Sequence, residues 1–165
     1  MLLGCGGKPV AFQGESTLAI TGDPPAQVVP QEPPARVEVK PDRIEITEKI
    51  QFAYDRDTIL QGSFSLLDEV AAVIKKHPHL KKIQIEGHAS ADGDAGHNQR
   101  LSEQRARAVV AYLVGKGVAA KLVPVGYGAA KPIGDNGTRE GREQNRRVEF
   151  NILEQDPAAG QEKKS

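Results

Sequence analysis

Gly87-His88-Ala89-Ser90, Asn98-x-x-Leu101-Ser102-x-x-Arg105-Ala106, Gly126-Tyr127-Gly128, Asn136-Gly137-Thr138, Gly141-Arg142 and Asn145-Arg146-Arg147-Val148-Glu149 follow one another between Gly87 and Phe150. Glycines, asparagines and arginines alternate there with short apolar runs. That is the pattern of a small sheet-and-helix domain with a polar pocket at its loop ends. Upstream, Ile83 and Ile85 predict a strand ending at Gly87. Downstream, a helix is expected from about Asn98 to Gly115, with Leu101, Arg105, Ala108, Val109, Tyr112 and Leu113 on one stripe. Gly115 and Gly117 end it. Leu122, Val123 and Val125 predict the next strand, Asn136, Gly137 and Gly141 suggest an ordered polar loop, and Val148, Phe150 and Ile152 predict the last strand.

Nearer the N-terminus, apolar and charged residues alternate. Val37 and Val39, Ile44 and Ile46, and Ile50 and Phe52 read as three half-buried strands. Leu66, Leu67, Val70, Ala71, Val73 and Ile74 share a helical stripe over Ser65 to Lys76. Ser65 and Asp68 suggest a capping arrangement, and Pro78 stops the helix. The order is strands, helix, strand, helix, strand, loop, strand. It predicts an α+β two-layer sandwich, a small mixed β-sheet with helices packed on one face.

The flanks read differently. Residues 1–22 carry little signal, and 23–36 form a Pro-rich linker. The domain is expected over 37–153, and the tail 154–165, without an apolar anchor, is expected to be disordered. A Pro-rich tether of about thirty residues reaches up to roughly 90 Å when extended. It suits a module that works at a distance from an anchor.

The chain has 165 residues, and its single cysteine, Cys5, excludes an internal disulfide. Leu2-Leu3-Gly4-Cys5 resembles a bacterial lipobox, whose cysteine is lipidated and becomes the mature N-terminus. That reading expects a charged and apolar leader upstream. The alternative is a free thiol near a frayed end. Lysine and arginine number 22, against 22 acidic residues. A balanced charge argues against a nucleic-acid binder and against a polybasic membrane-surface protein. No run approaches the length of a transmembrane helix.

Arg105 is out of place on an apolar stripe. A buried charge must be paired or hydrogen-bonded. Either it forms a structural ion pair or snorkels outward, or it points its fork into a pocket to hold a carboxylate. Arg139, Arg142, Arg146 and Arg147 form a second basic cluster. Arg146 and Arg147 adjoin a strand, so their side chains should diverge.

Together these positions resemble the OmpA-like peptidoglycan-binding domain family, of the peptidoglycan-associated lipoprotein type. The family pattern is Gly-His-Thr-Asp, a glycine three residues on, and Asn-x-x-Leu-Ser-x-x-Arg-Ala. Then come Gly-x-Gly-x-x-x-Pro, Asn-x-Thr-x-x-Gly-Arg and Asn-Arg-Arg-Val. Matching positions here include Gly87, His88, Gly93, Asn98, Arg105, Gly126, Gly128, Pro132, Thr138, Gly141 and Arg146. The resemblance covers roughly residues 48–153.

It implies non-covalent binding of the diaminopimelate stem of peptidoglycan, tethering the outer membrane to the cell wall from its periplasmic face. Arg105 would clamp the stem carboxylate, Arg146 would assist, Asn98 would order the loop and Asp55 would line the opposite side. Cys5 would be the lipid anchor. The alternative is an envelope-assembly or protein-interaction subunit with weak or altered wall binding.

Ser90 stands where the family has its aspartate, the partner of the ligand ammonium. A hydroxyl accepts a hydrogen bond but neutralises nothing. Charge-assisted bonds contribute about 1.5–3 kcal/mol against about 1 for neutral ones, so uncompensated loss weakens binding roughly tenfold. Asp92 or Asp94 could compensate, the site could read a different stem residue or carboxylate, or the fold could keep weak affinity and serve mainly as an interaction module.

Ser90, Asp92 and Asp94 alternate like the start of a calcium loop, but the twelfth position is Leu101. His77, His79, His88 and His97 are not grouped with zinc-ligand spacing. His88 is expected to be packed and hydrogen-bonded. No nucleophile elbow, phosphate loop or acid pair stands out, so no metal, no cofactor and no enzymatic activity are expected.

Overall fold

The computed structural model describes residues 35–157. Cys5, most of the Pro-rich segment and the end of the tail lie outside them. The elements are β1 (Val37–Val39), β2 (Arg43–Ile46), a 3-10 turn (Gln61–Ser63), α1 (Phe64–Lys76), β3 (Leu80–Gly87), α2 (Ala95–Gly115), β4 (Lys121–Gly126), α3 (Arg139–Asn145) and β5 (Val148–Gln155). One five-stranded mixed sheet runs β1-β2-β5-β3-β4. β3 and β4 are parallel and the other neighbours antiparallel. A parallel pair needs a crossover, and α2 supplies it.

Alternation along the strands sends Ile83, Ile85, Val148, Phe150 and Ile44 to the face carrying α1 and α2. There they meet Leu66, Leu67, Val70 and Ile74 of α1 and Ala106, Val109 and Leu113 of α2. The opposite face is polar, with Gln84 and Glu86 on β3 and Glu149 and Asn151 on β5 paired across the ladder.

α2 lies unusually close to the sheet. A methyl group at Gly87 would stand 2.0 Å from the Ser102 carbonyl oxygen, and one at Gly126 2.5 Å from the Glu103 amide nitrogen. Gly87 and Gly126 are register partners at the ends of β3 and β4. Only glycine permits this approach, and it presses Ser102 into the interior. The Ser102 hydroxyl donates to the Gln99 carbonyl and accepts from the Gly128 amide, at 2.8 and 2.9 Å.

Several elements differ from the sequence reading. Ile50 and Phe52 build no strand, because Phe52 makes only an isolated bridge to Ile59. α1 begins at Phe64, with Ser63 at its cap position making no side-chain cap bond, so Ser65 and Asp68 are not a capping pair. Asp68 instead takes the Tyr112 hydroxyl and Lys116. α2 starts three residues early, where the Asp94 carboxylate accepts from the His97 amide at 2.7 Å. Its buried stripe contains Ser102 and Ala106, whereas Ala108 is half-buried.

The polar segment before β5 contains α3, capped by Thr138 accepting from the Gly141 amide. The domain edges also lie further out. Arg36 pairs with Glu48 and Glu69, and β5 reaches Gln155.

Candidate functional site

At the C-terminal end of β3 the chain turns away from the sheet, and a cleft of about 590 Å³ opens beside it. Asp55, Ser90, Asp92, Asn98, Arg105 and Arg146 all line it, so the fold brings all six sequence-selected residues together. Phe52, Tyr54, Leu60 and Leu101 add apolar wall, and Lys49 and Glu143 add charge.

Arg105 is half-buried and stands over the Phe52 ring, 5.1 Å from its centroid. Its Nε donates to the Arg56 carbonyl at 3.0 Å. Among the described residues its two terminal nitrogens have no hydrogen-bond or ion-pair partner. Burial pulls its pKa below the ordinary value, opposed by Asp55 and reinforced by Arg146. A guanidinium nevertheless keeps its proton at neutral pH. The result is a charged fork anchored at one nitrogen and free at the other two, which suits a bidentate carboxylate. The structural ion pair considered for Arg105 is absent among the described residues.

The loop after β3 is held by Asn98, whose Nδ2 donates to the Ser90 and Asp92 carbonyls at 3.2 and 2.7 Å. Ser90 is buried. Its hydroxyl accepts from Arg146 at 3.1 Å and faces Asp92 Oδ2 at 3.4 Å. Asp92 is held by Arg142, Nε to Oδ2 3.0 Å, with Arg146 at 3.7 Å. Arg146 also pairs with Glu143, whose carboxyl it holds below the ordinary pKa.

Asp94 caps α2 and does not line the cleft, so of the two aspartates considered as substitutes for the family aspartate only Asp92 reaches it. Asp55 lies at a left-handed backbone position, φ 52°, and its carboxylate meets His97 Nε2 at 2.6 Å.

Arg146 and Arg147 diverge at their charged ends, as adjacency predicts. Arg147 turns to Glu149 at 2.5 Å and the Lys131 carbonyl at 3.1 Å. Sequence reasoning missed two supports. Asn145 is fully buried, accepting from the Ile133 and Gly134 amides and donating to the Gly134 carbonyl and Asn136 Oδ1, all at 2.8–2.9 Å. It locks the segment before α3 against the residue preceding Arg146. Tyr54, 97% exposed, stands at the cleft rim with no apolar partner to mark it in the sequence.

The model of the OmpA family matches residues 51–146, more than half of the chain, and takes in every residue lining the cleft but Lys49, Ile50 and Arg147. Outer membrane porin F of Pseudomonas aeruginosa is 37% identical over 105 residues, which are 62% of this chain and 30% of that protein. Peptidoglycan-binding protein ArfA of Mycobacterium tuberculosis is 40% identical over 102 residues, 61% of this chain and 31% of that one. The chain thus spans about a third of the length of these relatives. The crystal structure of the peptidoglycan-associated lipoprotein from Burkholderia pseudomallei superposes with a TM-score of 0.57 at 28% identity, over 63% of this chain and 89% of that one. By the matched span and the shared fold, this chain belongs to the OmpA family.

Proposed function

We propose that the domain holds peptidoglycan without covalent chemistry and so ties the outer membrane to the cell wall from the periplasmic side. The observation that carries this reading is the half-buried Arg105 fork, free at two nitrogens and aimed into a cleft. A carboxylate there satisfies an otherwise unpartnered, partly desolvated charge, the condition under which a charge-assisted pair contributes most. The reading is supported by membership of the OmpA family and by similarity to proteins whose names state peptidoglycan binding or association.

In this account the ligand is the amino-acid end of diaminopimelate. Arg105 takes its carboxylate. Asp55 and Asp92 share its ammonium in place of the missing family aspartate, since both line the cleft. Binding rather than catalysis is the work of the cleft, and lipidation of Cys5 supplies the outer-membrane anchor. Sedimentation of the full chain with isolated peptidoglycan sacculi tests this. The natural protein co-sediments and Arg105→Ala stays in solution; equal co-sedimentation of both overturns the site.

A further inference from the structure

On the sheet face that carries neither α1 nor α2, two carboxylates stand directly opposite one another. Glu86 and Glu149 are register partners on β3 and β5. Like charges so placed destabilise a sheet unless something offsets them. Beside them lies His88, its side chain 1% exposed. Among the described residues neither of its ring nitrogens has a hydrogen-bond partner. The expectation of a hydrogen-bonded histidine fails here, although the ring is packed, stacked on Tyr127 at 5.5 Å. Nε2 points toward Glu86 Oε2 at 3.4 Å, too long and poorly aligned for a hydrogen bond. Leaving a buried polar atom unpaired costs about 1–3 kcal/mol, so the group calls for a partner.

We propose that Glu86, His88 and Glu149 form a binding site for a divalent first-row cation of the zinc class. One donor atom from each residue falls within 4.8 Å of the others. A tetrahedral zinc ion with bonds near 2.1 Å sets its donors roughly 3.4 Å apart. The Glu86–His88 pair already has that spacing, and Glu149 closes by at most about 1.4 Å through side-chain rotation. Imidazole nitrogen and carboxylate oxygen are both zinc ligands, and three protein donors leave a fourth tetrahedral position for water.

Burial keeps His88 below its ordinary pKa, with Arg147 and Lys131 acting in the same sense and Glu149 and Glu86 against it. A neutral imidazole offers one lone pair, on whichever ring nitrogen lacks the proton, and Nε2 is the nitrogen that faces Glu86. Gln84 Nε2 donates to Glu86 Oε1 at 2.8 Å and orients that carboxylate as an outer-sphere partner does.

Two cations now offset the carboxylates. Arg147 Nε holds Glu149 Oε1 and leaves Oε2 open. The Lys131 ammonium sits 3.4 Å from Glu86 Oε2 and 3.6 Å from the Tyr127 ring centroid. Lys131 is half exposed and can swing away. It is thus the resident competitor, and its removal should tighten metal binding rather than weaken it.

The test is titration of the chelator-stripped full chain with zinc chloride against a chromophoric indicator, at pH 7.5, with circular dichroism to verify folding. One equivalent should bind with a dissociation constant of about 10 µM or tighter. Glu149→Gln should weaken it at least about tenfold, and Lys131→Met should tighten it by about threefold or more. No binding below about 100 µM overturns the proposal. So does an affinity unchanged in Glu149→Gln, or one lowered by Lys131→Met. Because the two substitutions predict opposite signs, a fold-wide disturbance cannot mimic the result.

Discussion

Gly87→Ala offers a severe trial of how the cleft is built. The added methyl would stand 2.0 Å from the Ser102 carbonyl oxygen, 2.8 Å from its carbonyl carbon and 3.3 Å from its Cα, all backbone atoms of α2. Ordinary contact begins at 3.4 Å, so the helix must retreat from β3 by about 1.4 Å. Retreat loosens the interface where Leu101, Ala106, Val109 and Leu113 are buried. It also strains the Ser102 hydroxyl bond to the Gly128 amide.

Overpacking of this kind typically costs 1–3 kcal/mol, and one strained neutral bond adds about 1, giving about 3 kcal/mol. Urea unfolding followed by circular dichroism reads this as a midpoint lowered by roughly 1–2 M, with an unchanged slope. Arg105 lies one turn beyond Ser102 on the same helix, so its fork moves with the backbone. Affinity for sacculi should fall as well, by about tenfold for a displacement near 1 Å. A loss below about 1 kcal/mol with undiminished sacculus binding would refute the argument that the glycine contact sets the height of α2.

Other consequences follow from single residues. Asn145→Ala removes four hydrogen bonds from a fully buried amide and should cost about 3 kcal/mol in urea unfolding, since part of the loss is recovered by water at the half-exposed segment. A cost under about 1 kcal/mol would contradict its role as a lock. His88 has a folded pKa below its unfolded one, so its neutral form stabilises the fold above the unfolded pKa of about 6.5, and that contribution is lost as pH falls toward the folded value. In chelator, the natural protein should therefore lose stability more steeply than His88→Gln as pH falls below about 6.5; parallel profiles would contradict it. Ser90→Asp places a carboxylate beside Arg146, whose Nη1 now donates to the serine Oγ, and should strengthen diaminopimelate binding by about tenfold. Unchanged affinity would mean that Asp55 and Asp92 already neutralise the ammonium in full.

The sheet and its two long helices were legible because period-two and 3.6-residue patterns sit on residues that the core buries, such as Ile83, Ile85, Leu67 and Leu113. Arg105 was legible for the opposite reason, as a charge breaking an apolar stripe. α3 was not, because of its seven residues only Gly141 and Asn145 are buried, and neither is apolar. Its trace in the sequence is the cap, Thr138 three residues before Gly141. The Ile50–Phe52 segment shows the reverse error, since alternation marks an extended chain but cannot say whether a partner strand lies alongside. The Glu86–His88–Glu149 group was invisible for a related reason. β3 and β5 are distant in sequence, and only their antiparallel register brings the two glutamates together. The depth of Ser102 likewise depends on two glycines in two other elements.

The proposed role of the cleft depends on whether the free fork of Arg105 holds a ligand carboxylate. Calorimetric titration of the full chain with meso-diaminopimelate, beside Arg105→Ala, tests it most directly. Saturable one-to-one binding is expected of the natural protein, with a loss of at least about a hundredfold in the variant, whose folding is checked by its unfolding midpoint. Equal binding by both proteins would contradict it.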